Sequence, residues 1–367
     1  MTENKWQHFV PQFYFKYFST DFKHICGYHL KSKKHYNSSI VSQSAKNYFY
    51  SENTKIEKSF SPIEAQFNAV IKKIIETDNF RLLTNYEYME MLRFISFQSS
   101  RTEKAKKLAD DFIDKMFEKV IKPFMKSNKE LMSKITEKDV DSVRLVYPGA
   151  FLYGVIQALE ANILLTDLVP AVIINKTDKD FIFSDNPVVF YNLIYRDPEH
   201  SFEGIRSPGL IVFCPISSKK CLLLFDPIYY SINLNDKNTI ELNNTKDICS
   251  INKLQFHNSL ENIYYQSENQ KDVIDCLSKE YFEKYSKEKD LAQIKEVPKW
   301  NGGNNSLLVT SKKGIPEKLS LSFIECAEPL REVLVVRDKR LIDLFEERMQ
   351  LYGLKKRSNK DWAENKV

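Results

Sequence analysis

The segment His8-Phe9-Val10-Pro11-Gln12-Phe13-Tyr14-Phe15 places an imidazole and an amide four residues apart inside an aromatic-rich N-terminal stretch. Histidine is the side chain whose ordinary pKa lies nearest neutral pH, so His8 is a candidate general base or metal ligand, with a hydrogen-bonded structural role as the alternative. Asp185 and Asn186, in Ser184-Asp185-Asn186-Pro187, follow an expected strand. There a strand fixes the backbone while a turn lifts the side chain, although the same residue types also serve ordinary turn chemistry. Gln98 and Arg101 lie three apart on one helical face, where an amide and a guanidinium can grip a phosphate or carboxylate. An internal ion pair of Arg101 with Asp185 would use the same residues. Glu64 is a second candidate carboxylate, with helix capping as its other reading. His8, Asp185 and Glu64 form the expected catalytic set. Gln12, Lys46, Gln98, Arg101 and Asn186 form the expected substrate-binding set. Asp185 is the expected ligand for magnesium or manganese, which favour hard oxygen donors.

Other chemistries are missing from the chain. The six cysteines (Cys26, Cys214, Cys221, Cys249, Cys276 and Cys326) are scattered with no two-spacer pair, which points to a reduced, intracellular protein. The remaining histidines have no metal spacing, no serine sits in a nucleophile elbow, and nine glycines leave little room for a P-loop or dinucleotide fingerprint. ATPase and dehydrogenase activities are set aside. A net charge of +5 permits a nucleic acid or another anionic partner without demanding one. The most apolar stretch, Gly149 to Leu168, is interrupted by Gln157, Glu160, Asn162 and Asp167, so no membrane span is expected and a cytoplasmic location is.

The elements that must hold these residues follow from periodicity. An N-terminus this apolar is expected to pack into the body of the fold and fix His8 and Gln12. Ile25–Leu30 and the stretch from His35 read as a hairpin with a basic tip at Lys31–Lys34. Ser61-Pro62-Ile63-Glu64 reads as a helix start, with Ser61 as N-cap and Glu64 closing a capping box, followed by buried Ile63, Phe67, Val70, Ile71 and Ile74. A second helix begins near Asn85 and carries Tyr88, Met91, Leu92 and Ile95, with Gln98 continuing the stripe. Helical pattern runs on to Leu165, with breaks at Lys122-Pro123 and Tyr147-Pro148-Gly149. Pro170–Ile174 and Phe181–Phe183 are expected to form a hairpin across 175–179, with further strands at Leu210–Phe213, Cys221–Phe225, Ser231–Leu234 and Leu319–Ile324. Helices are expected at Lys271–Lys287 and Leu341–Tyr352, and a loop at Pro298–Ser306. Helices first and strands second predict an α+β fold, an N-terminal helical layer packed on a mostly antiparallel sheet region. The expected organisation is a main domain over 1–297 (helices about 60–168, sheet about 169–265), a strand-helix extension of it over 298–352, and a basic tail over 353–367.

Five pieces occur in a telling order: His8-x-Val10-Pro11-Gln12-x-Tyr14, Ala45-Lys46-Asn47-x-x-Tyr50, Glu64, Gln98-x-x-Arg101 and Ser184-Asp185-Asn186-Pro187-Val188. Together they resemble the bacterial and fungal family catalogued as domain of unknown function 4238. The resemblance covers roughly Gln7 to Gln266 and is sharpest in the first and last pieces. Pro215-Ile216-Ser217-Ser218 departs from the family's Pro-Leu-Ser-Pro turn, Ser218 replacing the second proline. The resemblance groups the chain and implies no mechanism. The expected function is an intracellular, nuclease-like hydrolase acting on a phosphodiester or other anionic substrate, by analogy with defence or toxin systems. The alternative is a non-catalytic recognition protein whose polar cluster is structural.

Overall fold

The aromatic N-terminal segment becomes the hub of the molecule. In the computed structural model, which describes residues 6–52, 55–145, 149–196, 202–285, 293–298, 304–309, 314–329 and 336–351, strand β1 (Trp6–His8) leads into a single helical turn, α1 (Gln12–Lys16). Val10, Tyr14, Phe15 and Phe18 are fully buried. The ring of Phe183 meets those of Tyr14, Phe15 and Phe18 at 5.2, 5.1 and 4.5 Å, so this segment is core, as its composition predicts.

The hairpin of β2 (His24–His29) and β3 (Lys34–Ser39) forms with the basic tip where expected. Gly27 in β2 faces Tyr36 in β3, and a Cβ at Gly27 would come within 2.2 Å of the tyrosine ring. That ring is anchored, because the Tyr36 hydroxyl shares its one proton between Asn262 Oδ1 at 3.0 Å and Gln43 Oε1 at 3.2 Å. Gly27→Ala is therefore expected to cost about 1–3 kcal/mol, seen as a lower urea midpoint. Beyond the hairpin, β4 (Ala45–Asn47) pairs antiparallel with β1 and sets His8 opposite Ala45.

Two long helices follow. The first, α2, spans Lys55–Thr77, so the expected start at Ser61 is corrected: the helix begins two turns earlier and Pro62 lies inside it. Pro62 is on the exposed face, where water can satisfy the carbonyl that its missing N–H leaves open. Phe60, Phe67, Val70, Ile71 and Ile74 line its buried face. The second, α3 (Asn85–Ser100), opens on a true capping box, Thr84 with Glu87, and buries Met91, Leu92, Phe94 and Ile95. Thr102 then caps α4 (Glu103–Met116). At Lys122-Pro123 the chain changes helix type without leaving the helical path: a π turn at Phe117–Ile121, whose looser bonding accommodates a residue with no N–H, leads into the helix Lys122–Ser127. Tyr147 and Pro148 lie outside the described residues. The helix Gly149–Glu160 packs beside α3, and among the described residues no helix is long and apolar enough to cross a membrane.

The sheet region is mostly antiparallel, and the fold is α+β. One sheet has the order β3-β2-β12-β6, where β6 is Phe183–Ser184 and β12 is Asn262–Tyr265. The other has the order β11-β5-β9-β8-β7: β5 is Val169–Asn175, β7 Val189–Asn192, β8 Leu210–Ser217, β9 Lys220–Phe225 and β11 Thr239–Leu242. The β11–β5 pair is parallel. The expected hairpin of Pro170–Ile174 with Phe181–Phe183 does not form. β5 pairs with β9, and the chain crosses through an Asn175-Thr177 turn to place β6 against β12 in the other sheet. The turn residues read correctly, but partner choice is a long-range matter. Residues 245–258, left without an element by the sequence, form a helix (Thr245–Asn258) whose polar side chains are largely buried. Strand β10 is only Tyr230–Ser231, paired with Glu325–Cys326, and Leu319–Ile324 is not a strand. Leu319 and Leu321 instead pack into the main core as irregular chain. Gln293–Pro298 pairs with Asn304–Val309, so the expected loop is shorter at both ends, and 299–303 falls outside the described residues. Helices Lys271–Tyr285 and Lys339–Leu351 match expectation, and the basic tail lies outside the described residues.

Candidate functional site

Arg101 sits at the C-cap of α3 and is completely buried. A buried guanidinium must find acceptors, and each of its nitrogens has one. Nη1 donates to Glu64 Oε1 at 2.6 Å, Nε to the Tyr50 hydroxyl at 2.9 Å, and Nη2 to the main-chain carbonyl of His8 at 2.5 Å. The Tyr50 hydroxyl in turn donates to that same carbonyl at 3.0 Å. The rings of Phe97, Phe60 and Tyr50 surround the charge at 4.9, 5.6 and 5.7 Å. The internal ion pair is thus with Glu64, not Asp185, and the acceptors of Arg101 are the protein's own.

This network fixes the backbone at His8. One residue on, Gln98 Nε2 donates to the Phe9 carbonyl at 3.0 Å, and Gln7 Oε1 accepts from the Tyr50 amide at 2.7 Å. Gln98 is buried and, like Arg101, holds the N-terminal segment rather than lining an open surface.

The side chains of His8 and Gln12 face outward from this scaffold. With Phe13 they line a cleft of about 430 Å³ whose opposite wall is α2: Glu57, Lys58, Ser61, Glu64 and Asn68. His8 Nε2 lies 3.0 Å from the Val41 carbonyl and 3.4 Å from the Gln12 amide. A carbonyl can only accept, so the proton belongs on Nε2 and the lone pair on Nδ1. Burial pushes the His8 pKa below its usual 6.5, against the pull of that carbonyl, so the ring is neutral at pH 7. Glu57 Oε1 accepts from the His8 main-chain N–H at 3.3 Å, while its Oε2 is buried without a partner. Burial raises the Glu57 pKa, with Arg101 and the His8 N–H restraining the rise. The cleft therefore holds a neutral imidazole and a carboxyl whose pKa burial raises.

Glu57 was not among the expected site residues. The signal was present: Glu57, Ser61, Glu64 and Asn68 recur at i, i+4, i+7 and i+11, a polar stripe along one face of α2. It is hidden once the helix is started at Ser61. With the earlier start, Glu64 loses its capping role, being mid-helix and bonded to Arg101.

The other expected residues lie elsewhere. Asp185 is buried, and both its carboxylate oxygens are taken by backbone N–H groups at the turn into β12: Leu260 at 2.8 Å, Glu261 at 2.7 Å and Asn262 at 2.9 Å. It is not brought to His8 or Glu64 and offers no open oxygen to a metal. Among the described residues no group of three His, Cys, Asp or Glu side chains is arranged to hold a metal ion. Its neighbours in Ser-Asp-Asn-Pro are clamped by the helix Thr245–Asn258, Gln255 bonding Ser184 and Pro187, and Asn258 bonding the carbonyls of Asn186 and Val188. Lys46 pairs with Glu103 at 2.5 Å. Asn186 lines a second cleft, apart from His8.

An α+β protein with a buried arginine network beneath a cleft lined by His8, Gln12, Glu57 and Glu64 is thereby defined. A family model described as "Protein of unknown function (DUF4238)" matches residues 6–269, and the chain belongs to that family. No curated protein and no solved structure matches the chain.

Proposed function

We propose that the chain is an enzyme whose proton-transfer pair is His8 and Glu57, acting on a polar substrate held in the cleft between α1 and α2. The observation that carries this reading is the pairing of a neutral histidine with a carboxyl of raised pKa on one cleft. His8 Nδ1 takes a proton from the attacking group or water, and the Glu57 carboxyl gives one to the leaving group. Arg101 touches neither; it is a positioning residue that pins the His8 carbonyl. Arg101 is turned inward and spent on Glu64, which leaves Lys58 as the cation among the cleft-lining residues and favours a neutral substrate over a phosphodiester.

The test is hydrolysis of p-nitrophenyl acetate, a p-nitroanilide and bis(p-nitrophenyl) phosphate by wild type, His8→Ala and Glu57→Gln. The expected result is turnover of a neutral substrate that falls about 10²–10⁴-fold in each variant. Activity should decline on the acid side as His8 takes up a proton and on the alkaline side as Glu57 loses its own. Turnover that neither substitution changes would sink the assignment. Turnover of the phosphodiester alone would return the substrate class to an anionic one.

A further inference from the structure

A glycine inside a helix costs about 1 kcal/mol relative to alanine. Gly154, in the helix Gly149–Glu160, has no packing reason to be there, since a Cβ built on it meets nothing within 4 Å. The space it leaves is the wall of a cleft of about 440 Å³, which lies between that helix, the end of α3 and the Ser-Asp-Asn-Pro turn. This is within the size range of small-molecule sites.

On the facing wall is Asn186, only 8% exposed. Its Nδ2 donates to the Asn258 carbonyl at 3.3 Å, but its Oδ1 is buried with no hydrogen-bond partner. A buried amide oxygen left unpaired costs about 1–3 kcal/mol, a cost that a bound donor would remove. Ser96, Ser99 and Ser100 line the same cleft, and each hydroxyl spends its proton on a carbonyl of its own helix, at 3.2, 2.8 and 3.1 Å. What remains on those oxygens is acceptor capacity. Leu164, Val188 and Phe190 supply apolar surface beside them, and Glu203 and Arg206 add one charge of each sign to the lining, so the cleft has no net bias toward an anion.

We infer that this second cleft binds a small organic molecule with an apolar body and a hydrogen-bond donor, an amine or primary amide, whose N–H is received by Asn186 Oδ1. Gly154 keeps the cleft open for that body. The site shares no residue with the His8 cleft, so it stands or falls independently of the proposed activity.

The experiment is thermal denaturation of wild type and Gly154→Leu with millimolar benzylamine, benzamide or benzoate. A leucine at 154 improves helix propensity and fills the cleft, so the variant alone should melt at or above wild type. Benzylamine or benzamide is expected to raise the wild-type Tm by about 2 °C or more, benzoate to do less, and Gly154→Leu to lose the shift. Should Gly154→Leu melt low by itself, Ser99→Leu is read in its place. The inference is overturned if neither donor probe stabilises wild type, if the filled variant responds equally, or if benzoate matches the donors.

Discussion

Replacing Arg101 with methionine is expected to lower the stability of the fold by about 3–5 kcal/mol, the cost of breaking a buried ion pair from one side. Methionine keeps the unbranched apolar stem of the side chain and ends near the Nε position, so most of the loss reports the polar network beyond it. The His8 carbonyl keeps only the Tyr50 hydroxyl as a side-chain donor, and the Glu64 carboxylate loses its partner at 2.6 Å. Lysine should rescue little, because one ammonium cannot span three acceptors set out for a planar fork. Removing both members, as Arg101→Met with Glu64→Leu, should recover part of the loss, since no charge is then left unpaired. Urea unfolding with an unchanged m value is the measurement. A loss below about 1 kcal/mol in Arg101→Met would mean that the network does not hold the N-terminal segment.

Asp185→Ala is expected to have an effect of similar size, about 3–5 kcal/mol, because three backbone N–H groups lose their one buried, charged acceptor together. The turn it anchors joins the helix Thr245–Asn258 to β12, which lies between β2 and β6. Asp185 also has a pH signature. Burial pushes its pKa up from 3.8 to about 6, although the three N–H groups pull the other way. A carboxyl whose folded pKa is raised contributes its full stability below the unfolded value and loses it as pH rises through the folded one. A shift of about two units corresponds to about 3 kcal/mol, lost between about pH 4 and pH 7. Asp185→Asn removes that dependence while keeping the shape. Going from pH 7 to pH 4, wild type should therefore gain about 2–3 kcal/mol relative to Asp185→Asn. Parallel pH profiles would show that Asp185 is ionised across the whole range.

Much of the helical framework was legible because helices are written in short-range rules. The stripe of Tyr88, Met91, Leu92 and Ile95 needs only the 3.6-residue period, and Thr84 with Glu87 caps α3 through neighbours three positions apart. The same short-range reasoning misled at Ser61. A serine, a proline and a glutamate in the right order satisfy the start rules, yet an exposed Pro62 is also tolerated within a longer helix. That single shift hid Glu57 and gave Glu64 the wrong task. In the sheets, β8 and β9 are legible as apolar runs, whereas the assignment of β5 and β6 to one hairpin failed because strands do not state their partners.

The amino-acid sequence by itself determined the α+β class, the burial of the N-terminal aromatic segment, the hairpin β2–β3, the period of α3 and membership of the family, since each depends on composition, on local spacing or on motifs in order. Only the tertiary structure decided that Arg101 spends its charge on Glu64 and the His8 carbonyl, that Asp185 anchors the turn into β12, and that Glu57 joins His8 on one cleft. The physical reason is distance along the chain. Arg101 meets Glu64 across 37 residues and His8 across 93, and Asp185 meets its donors across 75 to 77. No propensity or period reaches that far, and the choice among anions for a buried guanidinium is made by packing alone.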